Sequence, residues 1–303
     1  MGVTLRTCVS DADIAAVRQF LITSEVALQS LSNWDPRRWE GFCFYRDDAG
    51  LVATRDVLSR DVALAFGETQ FVGAAIPEGP GDVYIQCMPG DDEVEQVLLD
   101  WAIEHLSYVE GQSRWVHVWA FDDDASRRDR LHRMGFAESS EFERIRDRDM
   151  RVPVAALEVP DGYVVRGYTD ADAHGLATLL NEAFGRTYHS AQEYRNFASH
   201  AIDHRDAFEI IVEAPDGSIA ANAGCNVFPD AGFGVVEPVC THPAHQGRHL
   251  AQVAIAEGLR RVADIGIERM YVGAWHANSV SNHVYASMGF TNPRDLRRWR
   301  KEF

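Results

Sequence analysis

The sequence predicts an α/β protein of two tandem domains, each with a mixed, mostly antiparallel sheet flanked by helices. Two segments open alike, with an apolar run, a Ser or Thr, Asp-Ala-Asp at 11–13 and 170–172, and then a helical pattern. Two segments close alike, with LHRMGF at 131–136 and VYASMGF at 284–290. The openings are 159 residues apart and the closing phenylalanines 154. This near-constant spacing indicates a duplicated domain of about 150 residues.

The segment MRVPVAALEVPDG (150–162) is the predicted joint, because it holds two prolines and an Asp-Gly turn. We therefore expect one domain over 1–150 and another over 160–303. A chain of 303 residues with 46% hydrophobic residues can bury two cores without a disulfide or metal. The five cysteines lack metal-type spacing, which favours reduced thiols and no metal site.

The charge balance is acidic, with 29 Lys and Arg against 46 Asp and Glu and a net charge of −17. This balance argues against nucleic acid or an anionic membrane as partner, because both attract clustered basic charge. The N-terminus lacks an apolar leader, and no apolar run approaches the roughly 20 residues of a membrane span. We expect a cytoplasmic protein, monomeric or homodimeric, whose negative charge attracts cationic or amine substrates.

Periodicity places the elements of both halves. In the second half it predicts a hairpin with its turn at Asp216-Gly217 and further strands at 163–168, 232–241 and 269–275. It also predicts helices at 172–184, 190–201, 249–266 and 278–289. The C-terminal run is expected to form a strand pair, with 294–303 as an edge strand bearing solvated arginines. In the first half the expected elements are strands near 61–66, 69–76, 82–88 and 114–121, helices at 92–110 and 124–134, and a solvated strand at 142–151.

The segment EPVCTHPAHQGRHLA (237–251) is the most informative part of the chain. An apolar strand runs into a short loop with Gly247 and Arg248, and a helix follows at once. The free N–H groups at a helix N-terminus attract anions, so this loop suits a phosphate. Further on, Asn278 and Tyr285 are seven residues apart, which places them on one face of the next helix.

These residues resemble the GNAT N-acetyltransferase superfamily over nearly all of 163–303. The run Gln246-Gly247-Arg248-His249-Leu250-Ala251 is similar to the family's pyrophosphate loop Q/R-x-x-G-x-G/A. The block from Asn278 through Tyr285 to Gly289-Phe290 is similar to its Asn…Tyr…Gly-Phe ending. One departure is His249, which stands where the family has a glycine. His242, His245 and His249 are read as loop histidines, not as metal ligands.

The resemblance implies an acetyl-CoA site between splayed fourth and fifth strands. Backbone groups of Val239, Cys240 and Thr241 would face the pantetheine and thioester, one N–H serving as oxyanion donor. Asn278 would contact the pantetheine, and Tyr285 would be the general acid for the departing thiolate. The pyrophosphate would lie against the loop and helix start, formed by Gln246, Gly247, Arg248, His249, Leu250, Ala251 and Gln252.

The general base is less determined by the sequence. Glu237 is our first candidate, since side chains two apart in a strand share a face and Glu237 would share one with Val239; the alternative is a carboxylate solvated at a strand edge. His276 is the second candidate. Cys240 is expected to be a small strand residue and not a nucleophile. An aromatic-walled acceptor pocket, or plain core, would be formed by Trp275, Phe228, Phe233, Tyr188 and His189.

The first half looks like a degenerate copy. Its corresponding loop, Met88 to Glu93, carries three acids that would repel a pyrophosphate, and Leu131 stands in the place of Tyr285. We expect an N-acetyltransferase that moves acetyl from acetyl-CoA to a small-molecule primary amine by direct attack. One alternative is an acetyltransferase like mycothiol synthase, whose first half keeps a recognisable cofactor loop. Another is a non-catalytic CoA-binding or regulatory protein, an alternative that His249 leaves open.

Overall fold

The computed structural model describes residues 2–45, 48–202 and 204–303. The strands are Val3–Thr7 (β1), Ala63–Gly67 (β2), Gln70–Pro77 (β3), Asp82–Cys87 (β4), Tyr108–Glu110 (β5), Ser113–Phe121 (β6), Ala137–Asp149 (β7), Val164–Gly167 (β8), Glu209–Glu213 (β9), Ile219–Phe228 (β10), Phe233–Thr241 (β11), Arg269–Trp275 (β12) and Thr291–Glu302 (β13). The helices are Asp11–Leu28 (α1), Pro36–Phe44 (α2), Asp48–Asp61 (α3), Asp92–His105 (α4), Ala125–Arg133 (α5), Ala173–Phe184 (α6), Ala191–His200 (α7), Leu250–Ala263 (α8) and Ser279–Ser287 (α9). None of the helices in these ranges is long and apolar enough to span a membrane.

One mixed, mostly antiparallel sheet runs through both halves. Its order is β1-β2-β3-β4-β6-β13-β7-β12-β11-β10-β9-β8, with β5 beside β6. The closing strands are exchanged between the halves, because β13 pairs with β6 of the first half and β7 pairs with β12 of the second. Strands β13 and β7 also pair with each other. The halves predicted as separate domains therefore share a continuous sheet, which fixes one against the other.

This exchange overturns three expectations about strands and charge. The C-terminal run is one strand in the middle of the sheet, not a strand pair with a solvated edge, and 142–151 belongs to a central strand as well. Charges that looked solvated are paired across elements: Arg144 with Asp295, and Arg297 with Asp122. Opposite charges on neighbouring strands neutralise one another, so a charged run can occupy an interior position. Helix α4 ends at His105, before β5, whereas the sequence predicts a helix over 92–110.

Both halves start with the same capping device. Ser10 and Thr169 each form a capping box with an aspartate three residues on, Asp13 and Asp172. An arginine of the preceding strand binds each aspartate: Arg6 binds Asp13, and Arg166 binds Asp172 at 2.7 Å. The repeat predicted from Asp11 and Asp170 therefore extends to caps, carboxylates and arginine partners.

The Asp172 carboxylate makes a pH-dependent contribution to stability. Hydrogen bonds from Arg166, with those from Thr169, lower the pKa of Asp172 from 3.8 to about 2, although burial opposes them. A pKa lowered in the folded state stabilises the fold above the unfolded value, and this contribution is lost as pH falls from about 4 to 2. We expect Asp172→Asn to lower the free energy of unfolding by about 2 kcal/mol at pH 7 and by little at pH 2. Urea unfolding at both pH values measures this difference.

Asp170→Asn is the matched control for that prediction. Asp170 also pairs with an arginine, Arg195, but its side chain is 76% exposed. An exposed pair contributes at most about 1 kcal/mol. Equal losses from the two substitutions would contradict the assignment to Asp172.

Candidate active site

The strands β11 and β12 run parallel and then separate. They pair through Phe233, Gly234 and Val235 against Arg269, Met270 and Tyr271, and in the described chain this pairing ends there. Main-chain groups beyond the last pair lack a strand partner across the gap. Backbone N–H and C=O groups in such a gap are available to a ligand.

A bulge in β11 lies just past this separation. Ala223 of β10 pairs with Val239 and Cys225 pairs with Val236, so the single Gly224 faces both Glu237 and Pro238. A Cβ on Gly224 would lie 2.7 Å from the Glu237 carbonyl oxygen, so the close approach requires glycine. Bulges redirect side chains. Glu237, Pro238 and Val239 consequently all line one cavity, whereas simple alternation would turn only Glu237 and Val239 to it.

That cavity has a volume of about 730 Å³ and lies between the two halves. Its size is within the range of small-molecule sites. The second half contributes the predicted Tyr285, Asn278, Glu237 and Val239 together with Trp275, Tyr188 and His189. The first half contributes residues that sequence reasoning did not single out: Trp34, Arg37, Arg38, Glu78 and Glu143.

Tyr285 and Asn278 reach the cavity from α9, as their spacing predicts. Tyr285 is 6% exposed, and the Asn278 side chain caps the helix by accepting from the Ser281 N–H at 3.0 Å. Burial, and then the negative charge of Glu237, raises the pKa of Tyr285. Its hydroxyl therefore keeps its proton at neutral pH and can donate a hydrogen bond into the cavity.

Leu131 is the counterpart of Tyr285 in the first half. The Phe290 N–H donates to the Tyr285 carbonyl oxygen at 3.1 Å, and the Phe136 N–H donates to the Leu131 carbonyl oxygen at 2.9 Å. The two helix ends therefore have the same backbone geometry. The Leu131 side chain is fully buried in the core of the first half and offers no hydroxyl.

Glu237 meets two arginines of the first half. Its carboxylate oxygens lie 3.5 Å from Nη1 of Arg37 and 3.6 Å from Nε of Arg38. Burial acts to raise the pKa of Glu237, but these guanidinium groups outweigh it and hold the pKa below its ordinary value. Glu237 is therefore ionised at neutral pH and is not a carboxylate solvated at a strand edge.

The two arginines arrive on α2, which begins with recognisable helix-start residues. Asp35 caps the helix by accepting from the Arg38 N–H at 2.9 Å, and Pro36 occupies its first position. This Asp-Pro start could have revealed the helix from sequence. Its position next to Glu237 is a long-range contact for which the local sequence holds no signal.

Three of the predicted acceptor-site residues lie at the cavity and three candidates do not. Trp275, Tyr188 and His189 line it. The prediction is wrong for Phe228 and Phe233, which are 3% and 1% exposed and pack on each other in the core at a ring distance of 4.8 Å. His276, the second candidate base, stacks on Phe142 at 4.2 Å and is not among the residues that line the cavity.

The backbone of Val239, Cys240 and Thr241 continues β11 past the bulge and pairs with β10. Pro238 has no N–H, so Val239 carries the first amide after the bulge. Burial raises the pKa of the Cys240 thiol, which remains protonated and unreactive as a nucleophile. The Cys240 side chain is therefore a small buried strand residue, as the sequence predicts.

The loop before α8 has the features of an anion site. Gln246, Gly247, Arg248 and His249 are exposed, and α8 starts at Leu250 with the free N–H groups of a first turn, which Leu250, Ala251 and Gln252 supply. Gly247 has a φ of +76°, with open space where a Cβ would be. Two contacts hold the loop: Tyr163 Oη to His245 Nδ1 at 2.9 Å, and Gln252 Nε2 to Ser287 Oγ at 3.1 Å. These residues fit a phosphate.

His249 adopts a conformation that explains why a glycine is usual at this position. Its φ of +60° and ψ of +20° lie in the left-handed region, where a Cβ is unfavourable. The imidazole Nδ1 lies 2.7 Å from the Gln252 Oε1. The departure from the family pattern is therefore a strained but accommodated residue at the helix start.

We expect His249→Gly to raise the free energy of unfolding by up to about 1 kcal/mol, because relief of left-handed strain exceeds the added entropy of the unfolded chain. His249→Ala is the control, since it keeps a Cβ and loses only the contact with Gln252. Thermal or urea unfolding of the three proteins checks the order Gly above wild type above Ala. A glycine variant no more stable than the alanine variant would contradict the strain.

The fold, with two similar halves that share one sheet, is similar to that of solved GNAT proteins, one of them a tandem GNAT protein. It is similar to a GCN5-related N-acetyltransferase from Sphaerobacter thermophilus, with a TM-score of 0.67 at 15% identity over 99% of this chain and 95% of that one. It is also similar to a tandem GNAT protein from the clavulanic acid biosynthesis pathway, with a TM-score of 0.66 at 13% identity over 99% and 98%.

The second half also shows similarity in sequence. Residues 173–290 match the model of the Acetyltransferase (GNAT) family. A mycothiol acetyltransferase from Nocardioides sp. is 26% identical over 189 residues, which cover 52% of this chain. The match spans 62% of the length of that relative.

Proposed function

We propose that the chain is an N-acetyltransferase that moves acetyl from acetyl-CoA to a small-molecule primary amine. The observation that carries this proposal is the convergence of Tyr285, Asn278 and the bulged β11 on one cavity at the separation of β11 and β12. An anion-binding loop follows the same strand. The acetyl donor and the amine would thus meet at a single point, where the Tyr285 hydroxyl can donate a hydrogen bond.

The second half would hold the donor. The free N–H groups at the start of α8 and the side chain of Arg248 would bind the pyrophosphate, with Gly247 leaving room for close approach. The pantetheine would follow the gap between the strands, against the backbone of β11 and the side chain of Asn278. The Val239 N–H is our candidate for the group that polarises the thioester carbonyl.

The reaction needs no covalent enzyme intermediate. The amine nitrogen attacks the thioester carbonyl carbon, the carbon–sulfur bond breaks, and the electron pair leaves on sulfur. Tyr285 donates a hydrogen bond and then its proton to the departing thiolate, and solvent returns a proton to Tyr285. The proton that the amine releases passes to Glu237 or to water.

Glu237 would act mainly as an electrostatic partner of the amine. A pKa held low by Arg37 and Arg38 makes its carboxylate a weak base, because efficient bases titrate near the working pH. It nevertheless places a full negative charge beside the site where the amine becomes cationic. We therefore assign the released proton to water beside Glu237, whose carboxylate stays ionised.

Acetylation of the amine precursor of mycothiol is the second candidate function. The observation that favours it is the similarity to the mycothiol acetyltransferase. Binding of CoA without turnover is the competing interpretation. It predicts stabilisation by acetyl-CoA without release of free CoA thiol in the presence of any amine.

The test is a thiol-release assay with acetyl-CoA and a panel of primary amines that includes amino acids, amino sugars, diamines, aromatic amines and the mycothiol precursor. We expect one class to accelerate release of CoA far above the rate of hydrolysis, with an acetylated product of the expected mass. Stabilisation by acetyl-CoA without such acceleration would contradict the enzyme proposal. It would support the binding protein instead.

A further inference from the structure

The first half contains a strand separation like that of the donor site. Strands β4 and β6 run parallel through Asp82 and Val83 against His117 and Val118, and the pairing in the described chain ends there. The gap beyond them corresponds to the gap between β11 and β12. Unlike that gap, it is bridged by side chains of Asn33 and Arg127, which also line a cavity of about 360 Å³ there.

Asn33 bridges the gap. Its Nδ2 donates to the Trp119 carbonyl oxygen of β6 at 3.0 Å and to the Ile85 carbonyl oxygen of β4 at 3.4 Å. Its Oδ1 accepts from the Gln86 side chain. Asn33 is 5% exposed. Its side chain occupies two backbone carbonyl oxygens that a ligand in this gap would otherwise bind.

Arg127 reaches the gap from the other side. Its Nη1 donates to the same Ile85 carbonyl oxygen at 3.2 Å, and its Nε pairs with Glu95 in the first turn of α4. Arg130 pairs with Glu95 at 2.8 Å and also with Asp92. Arginines of α5 therefore neutralise the acidic helix start that stands where the second half has its phosphate loop.

The residues after Asn33 lead directly into the acceptor cavity. The Trp34 ring packs against Tyr84 of β4 at 4.6 Å, and Asp35 caps α2. Arg37 and Arg38 follow in the first turns of α2 and meet Glu237. Asn33, which is hydrogen-bonded to two strands, thus lies four residues before Arg37, whose guanidinium contacts Glu237 at the cavity.

We propose that Asn33 is a positioning residue for the acceptor: it ties β4 to β6 at the vacated donor gap of the first half and thereby sets α2, with Arg37 and Arg38, against Glu237. The duplicated half is, on this view, a donor site converted into a support for the acceptor site. This inference rests on the proposed acetyl transfer for its kinetic consequence only. The effect of Asn33 on the position of α2 does not depend on acetyl transfer.

Asn33→Asp tests the proposal with little change in volume. The variant keeps the oxygen that accepts from Gln86 and removes the two donated hydrogen bonds, placing an oxygen against two carbonyl oxygens. We expect KM for the accepted amine to rise about tenfold, an effect of the size that lost buried hydrogen bonds produce, and KM for acetyl-CoA to stay within about twofold. Asn33→Ala should shift the amine KM in the same direction.

Leu98→Ala is the control for loss of stability alone, because Leu98 is fully buried in the first half and lies on α4, away from α2. It should lower the melting temperature and leave both KM values unchanged. An equal rise of the two KM values in Asn33→Asp, or the same amine effect in Leu98→Ala, would overturn the positioning role.

Hydrogen exchange provides a readout that needs no acceptor. We expect amides of residues 37–44 to exchange about tenfold faster in Asn33→Asp than in wild type or Leu98→Ala. Unchanged exchange there would refute the proposal even if the protein acetylates amines. Faster exchange in a protein without acetyltransferase activity would leave the link intact and reject only the proposed function.

Discussion

Tyr285→Phe is expected to lower kcat for acetyl transfer about 10²–10⁴-fold, the usual contribution of a general acid. The departing thiolate then loses its only assigned proton donor. The ring itself is 6% exposed and meets Phe290 edge-on at 6.3 Å, so phenylalanine fills the same space. Binding of acetyl-CoA should therefore persist, with a dissociation constant within about threefold of wild type, because uniform binding is not removed.

Tyr271→Phe is the matched control. Tyr271 is another buried tyrosine of the second half, but its hydroxyl donates to Glu25 at 2.5 Å and the residue does not line the cavity. It should lose stability and retain kcat. Steady-state kinetics with the accepted amine, and calorimetry with acetyl-CoA, separate the two effects. A kcat for Tyr285→Phe close to wild type would remove the hydroxyl from the mechanism.

Much of the second half follows from local sequence. Asn278 and Tyr285 lie on one helix face because their spacing equals two helical turns, and the loop with Gly247 precedes α8 because glycine and the apolar period mark that boundary. Such features depend on a few adjacent residues. The sequence therefore predicts well which side chains of the second half meet at the cavity.

The wall of the cavity that the first half supplies depends on contacts distant in sequence. Arg37 and Arg38 reach Glu237 only because the shared sheet brings α2 over β11, and neither residue lies in a recognisable motif. The misassignment of β13 has the same origin, since a strand's hydrogen-bond partner is not encoded in its own residues. Phe228 and Phe233 show the converse error, because an aromatic residue near a site packs into the core as readily as it lines a pocket.

His249 illustrates what a departure from a motif can and cannot reveal. The sequence shows that a side chain replaces a glycine, but not which conformation it must adopt. The left-handed φ of +60° supplies the missing fact. The loop remains exposed with the imidazole turned to Gln252, so histidine at this position is compatible with a phosphate site.

Gly247→Glu is expected to abolish stabilisation by acetyl-CoA. Ligand at 100 times its dissociation constant stabilises a folded protein by about 2.7 kcal/mol, and wild type should show this shift in melting temperature. A carboxylate at the helix start would repel the pyrophosphate, because it places like charge where the helix favours an anion. The surrounding space is open, so the glutamate side chain fits without a clash.

Backbone strain must be separated from charge in this experiment. Gly247 has a φ of +76°, so any side chain there costs stability before a ligand is added. Gly247→Ala and Gly247→Lys carry the same strain with no charge and with the opposite charge, and Gly111→Glu places strain and charge in an open turn of the first half with a φ of +61°. We expect the acetyl-CoA shift to be lost only in Gly247→Glu and to decline with salt in the others. Loss in alanine and lysine as well would mean that the loop conformation, not its charge, governs binding. If acetyl-CoA does not stabilise the wild-type protein, the native loop does not bind it. That outcome would contradict the proposed donor site at this loop.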